Sequence, residues 1–168
     1  MHTRPLEEKD APLMLEWMHS EDVVCYLAND FQSMKLEDCL DFIRGCAEDK
    51  DNYHLAICDD CDEYLGTVSL KHIDRKNQNA EYAISTREKA HGTGAAQYGT
   101  KAILDKAFGE LGLHRVYLNV IDANQRADRF YQKMGFHYEG MFSQHLFLKD
   151  RFWNLKWYAI TKEEYLEK

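Results

Sequence analysis

Long apolar runs are missing from this chain, and no stretch approaches the roughly 20 residues that a membrane-spanning helix needs. The first residues, Met1-His2-Thr3-Arg4-Pro5, contain no signal-peptide core. Proline is scarce: the two residues, Pro5 and Pro12, both lie near the start. No linker, internal repeat or low-complexity tract interrupts the rest of the chain, so residues 1–168 are expected to form one domain. Positive charge is also short. Twenty-one Lys and Arg face 29 Asp and Glu, a net charge of -8 that argues against a nucleic-acid binder and mildly favours cationic partners. The five cysteines leave an odd one over and form no secreted framework, which points to a reducing cytoplasm. Cys58 and Cys61 form a lone CxxC with no second pair, and none of the eight histidines has HExxH spacing, so no metal is expected. What the chain does have is 45% hydrophobic and 30% charged residues, a balance that supports a globular core.

The hydrophobic period changes along the chain. Thr3 to Leu6 reads as a first strand, and Asp10 and Pro12 as the start of a helix carrying Leu13, Leu15, Trp17 and Met18. Leu36, Leu40, Ile43 and Ala47 predict a second helix over 36–48. Tyr53 to Ile57, Tyr64 to His72 and Ala80 to Ser85 alternate as strands, the first two joined by the acidic turn 59–63. A glycine-bearing loop then opens a helix reaching about Leu111, with Ala95, Tyr98, Ala102, Ile103, Ala107 and Phe108 as its apolar stripe. His114 to Ile121 is a strand, Asn124 to Met134 a short helix closed by Gly135, and strands resume from Phe136 to about Ile160. The predicted class is α+β, a mixed sheet of about six or seven strands flanked by helices.

Three places carry possible chemistry. His91-Gly92-Thr93-Gly94-Ala95-Ala96 follows a strand and opens a helix, a setting in which backbone N–H groups and the helix N-terminus cradle a diphosphate. The same residues also make an ordinary tight turn. Gln97 stands where a dinucleotide fingerprint needs a third glycine, and Thr100 where a P-loop needs lysine, so neither of those loops is present. Asn124, Ala127 and Tyr131 share one helical face; Asn124 also serves as a helix cap and Tyr131 as a core aromatic. Glu81 is a carboxylate inside a strand pattern, facing either a cleft or solvent.

Together these residues resemble the GNAT family of acetyl-CoA-dependent N-acetyltransferases, in the branch of ribosomal-protein N-terminal and spermidine acetyltransferases. The phosphate loop of that family, Gln/Arg-x-x-Gly-x-Gly/Ala, is matched by His91 to Ala96 except at its first position. Its second signature appears as Asn124, Ala127, Tyr131, Lys133, Met134, Gly135 and Phe136, followed by Glu139-Gly140. The resemblance implies a GNAT fold with a splayed strand pair. It also implies transfer of acetyl from acetyl-CoA to an amine by direct attack. Ile84, Ser85 and Thr86 would meet the pantetheine arm and thioester, and His91, Gly92, Thr93, Gly94, Ala95, Ala96 and Gln97 would wrap the diphosphate. Asn124 would bond the arm, Tyr131 would protonate the departing thiolate, and Glu81 would serve as base, directly or through water. His91 departs from the pattern, and coenzyme affinity is expected to be weaker or more pH-sensitive for it. The acceptors implied are a polyamine, amino sugar, aminoglycoside or protein N-terminus, and a homodimer is compatible. Trp17, Tyr26, Phe31, Phe142, Phe147 and Trp153 are candidate walls of an acceptor pocket, or core. A non-catalytic acyl-CoA sensor of the same fold is the alternative.

Overall fold

The computed structural model describes residues 1–167. Seven strands form one mixed sheet: β1 (His2–Arg4), β2 (Tyr53–Cys58), β3 (Tyr64–Asp74), β4 (Asn79–Thr86), β5 (Arg115–Ile121), β6 (His137–Leu148) and β7 (Arg151–Thr161). Their order is β1-β2-β3-β4-β5-β7-β6. Every neighbouring pair is antiparallel except β4 and β5. The helices are α1 (Ala11–Met18), α2 (Glu21–Val24), α3 (Leu36–Cys46), α4 (Ala95–Asp105), α5 (Gln125–Met134) and α6 (Lys162–Leu166).

Strand alternation sends side chains to two cores on opposite faces of the sheet. On one face Leu55, Ile57, Val68, Leu70, Tyr82, Val116 and Leu118 pack with Ile103, Leu104 and Phe108, which follow the α4 loop. On the other, Met14, Trp17 and Met18 of α1 and Cys39 and Ile43 of α3 cover Ala56, Cys58 and Tyr64. The i, i+3, i+4 spacing of Met14, Trp17 and Met18 makes a single stripe, which is why so short a helix is held. Helix α4 lies unusually close to the sheet: a Cβ on Gly99 would sit 2.3 Å from Ile57 Cδ1.

Several sequence expectations shift. The first strand is His2–Arg4 rather than Thr3 to Leu6. Asp10 does not cap α1 with its side chain. It is buried and receives both Arg4 Nη1 (2.7 Å) and Nη2 (2.8 Å), because a bidentate guanidinium outcompetes a single helix N–H. The helix expected to run to Leu111 stops at Asp105 and continues as a wider π turn over Lys106–Glu110. Tyr98, expected in the apolar stripe, is exposed. The acidic turn that joins β2 and β3 also acts as a clamp: Asp62 accepts from Arg4 Nε (2.7 Å) and Glu63 from Arg87 Nη1 (2.6 Å).

Candidate active site

The site begins with an interruption in the sheet. β4 and β5 pair in parallel only at Asn79↔Arg115, Ala80↔Val116 and Glu81↔Tyr117. Beyond Glu81, β4 stays bonded to β3 through Gly66↔Thr86, while β5 follows β7 through Ile121↔Leu155. The two strands therefore separate, and residues 82–86 keep one backbone edge turned to the gap. A cleft of about 300 Å³ lies there, lined by Ile84, Ser85, Thr86, His91, Ala96, Asn124, Ala127 and Tyr131 among others. These eight residues, all selected from the sequence, thus line one wall system. Gly92, Thr93, Gly94, Ala95 and Gln97 lie in the loop and first turn at its end, while Glu81 is not part of its lining.

The loop is built to leave amides free. Gly92 (φ +78°) and Gly94 (φ +89°) adopt left-handed backbone that favours glycine. The N–H groups of His91 and Thr93 are spent on the carbonyls of Glu88 (2.9 Å) and Ala90 (3.3 Å), and that of Ala95 on Thr93 Oγ1 (3.3 Å). The amides of Gly92, Gly94, Ala96 and Gln97 are left without acceptors among the described residues, at the positive end of α4. The loop is anchored by Arg87, which is buried and donates to Glu16 Oε1 (2.9 Å), Glu16 Oε2 (2.8 Å), Glu63 (2.6 Å) and the Tyr64 carbonyl (3.0 Å).

His91 is not the cation at this end of the cleft. Burial, and then the neighbouring Arg126, push its imidazole below the ordinary histidine range, so it is neutral at pH 7. Arg126 Nη1 lies 3.3 Å from His91 Nδ1 and lines the same cleft. A diphosphate there meets amides plus a guanidinium, which fits its charge.

Asn124 caps α5: its Oδ1 accepts from Ala127 N at 3.1 Å, leaving its NH2 as the group able to donate into the cleft. Tyr131 is held by edge-on aromatic contacts with Tyr82 (5.9 Å) and Phe130 (5.6 Å). Burial raises its phenol to about 12, so it stays protonated through the physiological range.

A second cavity, of about 340 Å³, lies on the opposite face of β4 and shares Ile84 and Ser85 with the cleft. Its floor is made by the cross-strand pairs Thr67↔Ser85 and Ser69↔Ala83, with Lys71 beyond. Glu81 continues this face directly opposite Lys71, accepting from Lys71 Nζ at 3.2 Å and bonded to His72 Nδ1 at 3.0 Å. Glu81 and Tyr131 are thus on opposite sides of the strand, with the shared residues between them.

A family model described as an acetyltransferase (GNAT) domain matches residues 2–137. The chain belongs to the GNAT acetyltransferase family. Spermidine N(1)-acetyltransferase of Escherichia coli (strain K12) is 27% identical over 165 residues, covering 97% of this chain and 87% of that protein. The Bacillus subtilis (strain 168) N-acetyltransferase YokL is 25% identical, covering 91% and 92%. Spermidine N-acetyltransferase from Vibrio cholerae, crystallised in complex with CoA and spermine, shares the fold with a TM-score of 0.90 at 24% identity, covering 98% and 97% of the two chains. This GNAT chain is accordingly an N-acetyltransferase by family.

The structure also adds residues that sequence reasoning passed over, in a segment where it named only Tyr26 and Phe31 as candidate walls. Segment 22–34 walls both cavities: Asp22, Val23, Cys25, Tyr26 and Leu27 face the cleft, and Asn29, Phe31 and Met34 the second cavity. Its α2 is only four residues long, too short for a periodic signal. The β6–β7 hairpin pins this segment through Trp153 against Tyr26 (6.2 Å) and Lys149 with Glu21. Of the aromatics considered for the acceptor pocket, Trp17 and Phe31 line the second cavity, Tyr26 lines the cleft, and Phe142 and Phe147 are exposed on the hairpin outside both linings. Arg126, two positions after Asn124, was legible as a cation at a helix start but lies outside the motif.

Proposed function

We propose that residues 1–168 act as a single acetyl-CoA-dependent N-acetyltransferase domain, with a primary amine as acceptor. The observation that carries this reading is the parting of β4 from β5 just past Glu81, which opens a slot leading from the amide-lined loop to Tyr131. Gly92, Gly94, Ala96, Gln97 and Arg126 would bind the diphosphate. Ile84, Ser85 and Thr86 would bond the pantetheine arm through their open backbone edge, with Asn124 donating from the other wall. The acceptor amine would enter from the second cavity and meet the thioester where Ile84 and Ser85 are shared.

An ammonium has no lone pair, so its proton must leave first. Glu81 faces the acceptor side of the sheet and would take that proton through water. The free amine nitrogen then forms a bond to the acetyl carbon, the nitrogen of the tetrahedral adduct gives up its second proton to solvent, and the C–S bond breaks. Tyr131 donates its phenolic proton to the departing sulfur and regains one from solvent. Holding both substrates in facing cavities removes the entropy of their encounter, while Glu81 and Tyr131 handle the two protons.

The test is release of CoA thiol on a panel of amines, with the acetylated product identified by mass. Release with any primary amine supports the reading. Stabilisation by acetyl-CoA without release on any amine would instead mark a non-catalytic acyl-CoA sensor, and no stabilisation would remove both.

A further inference from the structure

We infer that the acceptor is a small primary monoamine carried on an apolar, aromatic body, bound in the cavity of about 340 Å³ under α1 and α3. The inference rests on the acetyl-transfer reading above and names the substrate class for that same site. The walls of this cavity are Met14, Trp17, Met18, Phe31, Met34 and Phe42. Three methionines and three aromatics form an adaptable apolar surface, with thioethers able to follow the outline of a ring.

Several polar groups of the lining are already used. Ser69 Oγ is bonded to His54 Nδ1 at 2.7 Å, and Thr67 Oγ1 to the Tyr64 hydroxyl at 2.7 Å. Burial depresses the His54 imidazole, which is therefore neutral at pH 7 and adds no charge. Among the described residues, two charged ones line the cavity, Asp38 and Lys71. Asp38 is exposed and its carboxylate accepts from the Lys35 backbone at 2.7 Å, at the start of α3. Lys71, a cation at the floor, is balanced by Glu81, which accepts from it at 3.2 Å.

A polyamine presents several ammonium groups in series, and each must exchange water for a carboxylate or carbonyl when it enters an apolar space. This cavity offers one capping carboxylate, and its second formal charge has the wrong sign. The acids of the 59–63 turn lie outside this cavity, and two of them, Asp62 and Glu63, are bound to Arg4, Lys9, Arg87 and Lys89. An arylalkylamine matches the lining instead. Its single nitrogen reaches the thioester past Ser85, and its ring fills the space among Trp17, Phe31 and Phe42.

The test measures kcat/KM by CoA-thiol release at saturating acetyl-CoA for 2-phenylethylamine, tryptamine, spermidine and a peptide with an N-terminal methionine. Burying one ring corresponds to a preference of about 10-fold to 100-fold, so 2-phenylethylamine or tryptamine is expected to exceed spermidine by at least that lower figure. Spermidine equal to or better than both aryl amines overturns the inference and leaves acetyl transfer standing. The peptide exceeding the small amines also overturns it, assigning the cavity to a polypeptide end. No release with any amine, despite stabilisation by acetyl-CoA, overturns the acetyl-transfer reading and this inference with it. The variant Met34→Glu places a carboxylate in the wall, on a partly exposed residue. Its stabilisation by acetyl-CoA should be retained while the aryl-to-spermidine ratio falls about 10-fold or more. An unchanged ratio in a variant that still binds acetyl-CoA contradicts the placement.

Discussion

Replacing Tyr131 by Phe removes one hydroxyl and leaves the ring. The ring is fixed by Tyr82, Phe130, Phe136 at 6.1 Å and Tyr158 at 6.5 Å. The hydroxyl itself has no hydrogen-bond partner among the described residues, so its loss should leave the melting temperature within about 2 °C of the parent. Coenzyme affinity should likewise hold, since the diphosphate contacts lie at the far end of the cleft. Turnover should not. A positioned general acid contributes roughly 100-fold to 10,000-fold. As the proposed acid, Tyr131 is expected near the low end of that range, because burial raises its pKa to about 12, well above the roughly 8.5 of a thiol. Proton transfer from so weak an acid to a thiolate is uphill and is drawn forward only as the phenol regains a proton from solvent, so the gain in rate comes mainly from hydrogen bonding to charge as it develops on sulfur. The expected loss in kcat is therefore about 100-fold, with KM for acetyl-CoA unchanged. Because the phenol titrates so high, the parent enzyme should show no decline assignable to Tyr131 below about pH 11, one unit under that value. Steady-state CoA release, with acetyl-CoA binding measured separately by calorimetry, checks both quantities. A kcat within about threefold of the parent would refute the assignment and reduce Tyr131 to a packing residue.

Glu81→Gln should lower kcat/KM most at low pH and recover partly as pH rises, because the free amine fraction of the acceptor grows about tenfold per pH unit below its pKa. A loss that is the same at every pH would instead trace to Lys71, left without its partner beside the acceptor cavity. His91 offers a second pH test. Its pKa is depressed in the ligand-free protein by burial and by Arg126, and a bound diphosphate favours its protonated form. Coenzyme affinity should accordingly rise as pH falls through the ordinary histidine range near 6.5, and this extra dependence should vanish in His91→Gln. Identical profiles for the two proteins would show that His91 takes no part. Gly99→Ala should cost roughly 1–2 kcal/mol, the overpacking penalty against buried Ile57 less the helix gain of alanine, and lower the melting temperature by about 2–8 °C. An unchanged melting temperature would mean that Ile57 moves aside freely.

Much of this site could be read from residue order. Gly92 and Gly94 carry a left-handed turn and Asn124 a helix cap, and Ala127 and Tyr131 follow Asn124 at helical spacing, all of which the chain states within a few positions. The parting of β4 from its parallel neighbour is expected only from the family resemblance and not from residue pattern, since it depends on which strand each edge chooses in space. Walls contributed by short segments were equally hidden. Met14, Trp17 and Phe42 have the spacing of core residues, and nothing in sequence distinguishes an apolar face that meets a neighbour from one that meets a cavity. Asp10 misled because a carboxylate ahead of a helix reads as a cap, whereas a guanidinium from β1 reaches it first.

The most direct test of the central claim is a crystal structure of the full chain with bound CoA. The diphosphate is expected against the amides of residues 92–97 and Arg126, with the pantetheine arm running between β4 and β5 to end beside Tyr131. Density for the nucleotide outside this cleft, or β4 and β5 closed together along residues 82–86 in the complex, would contradict it.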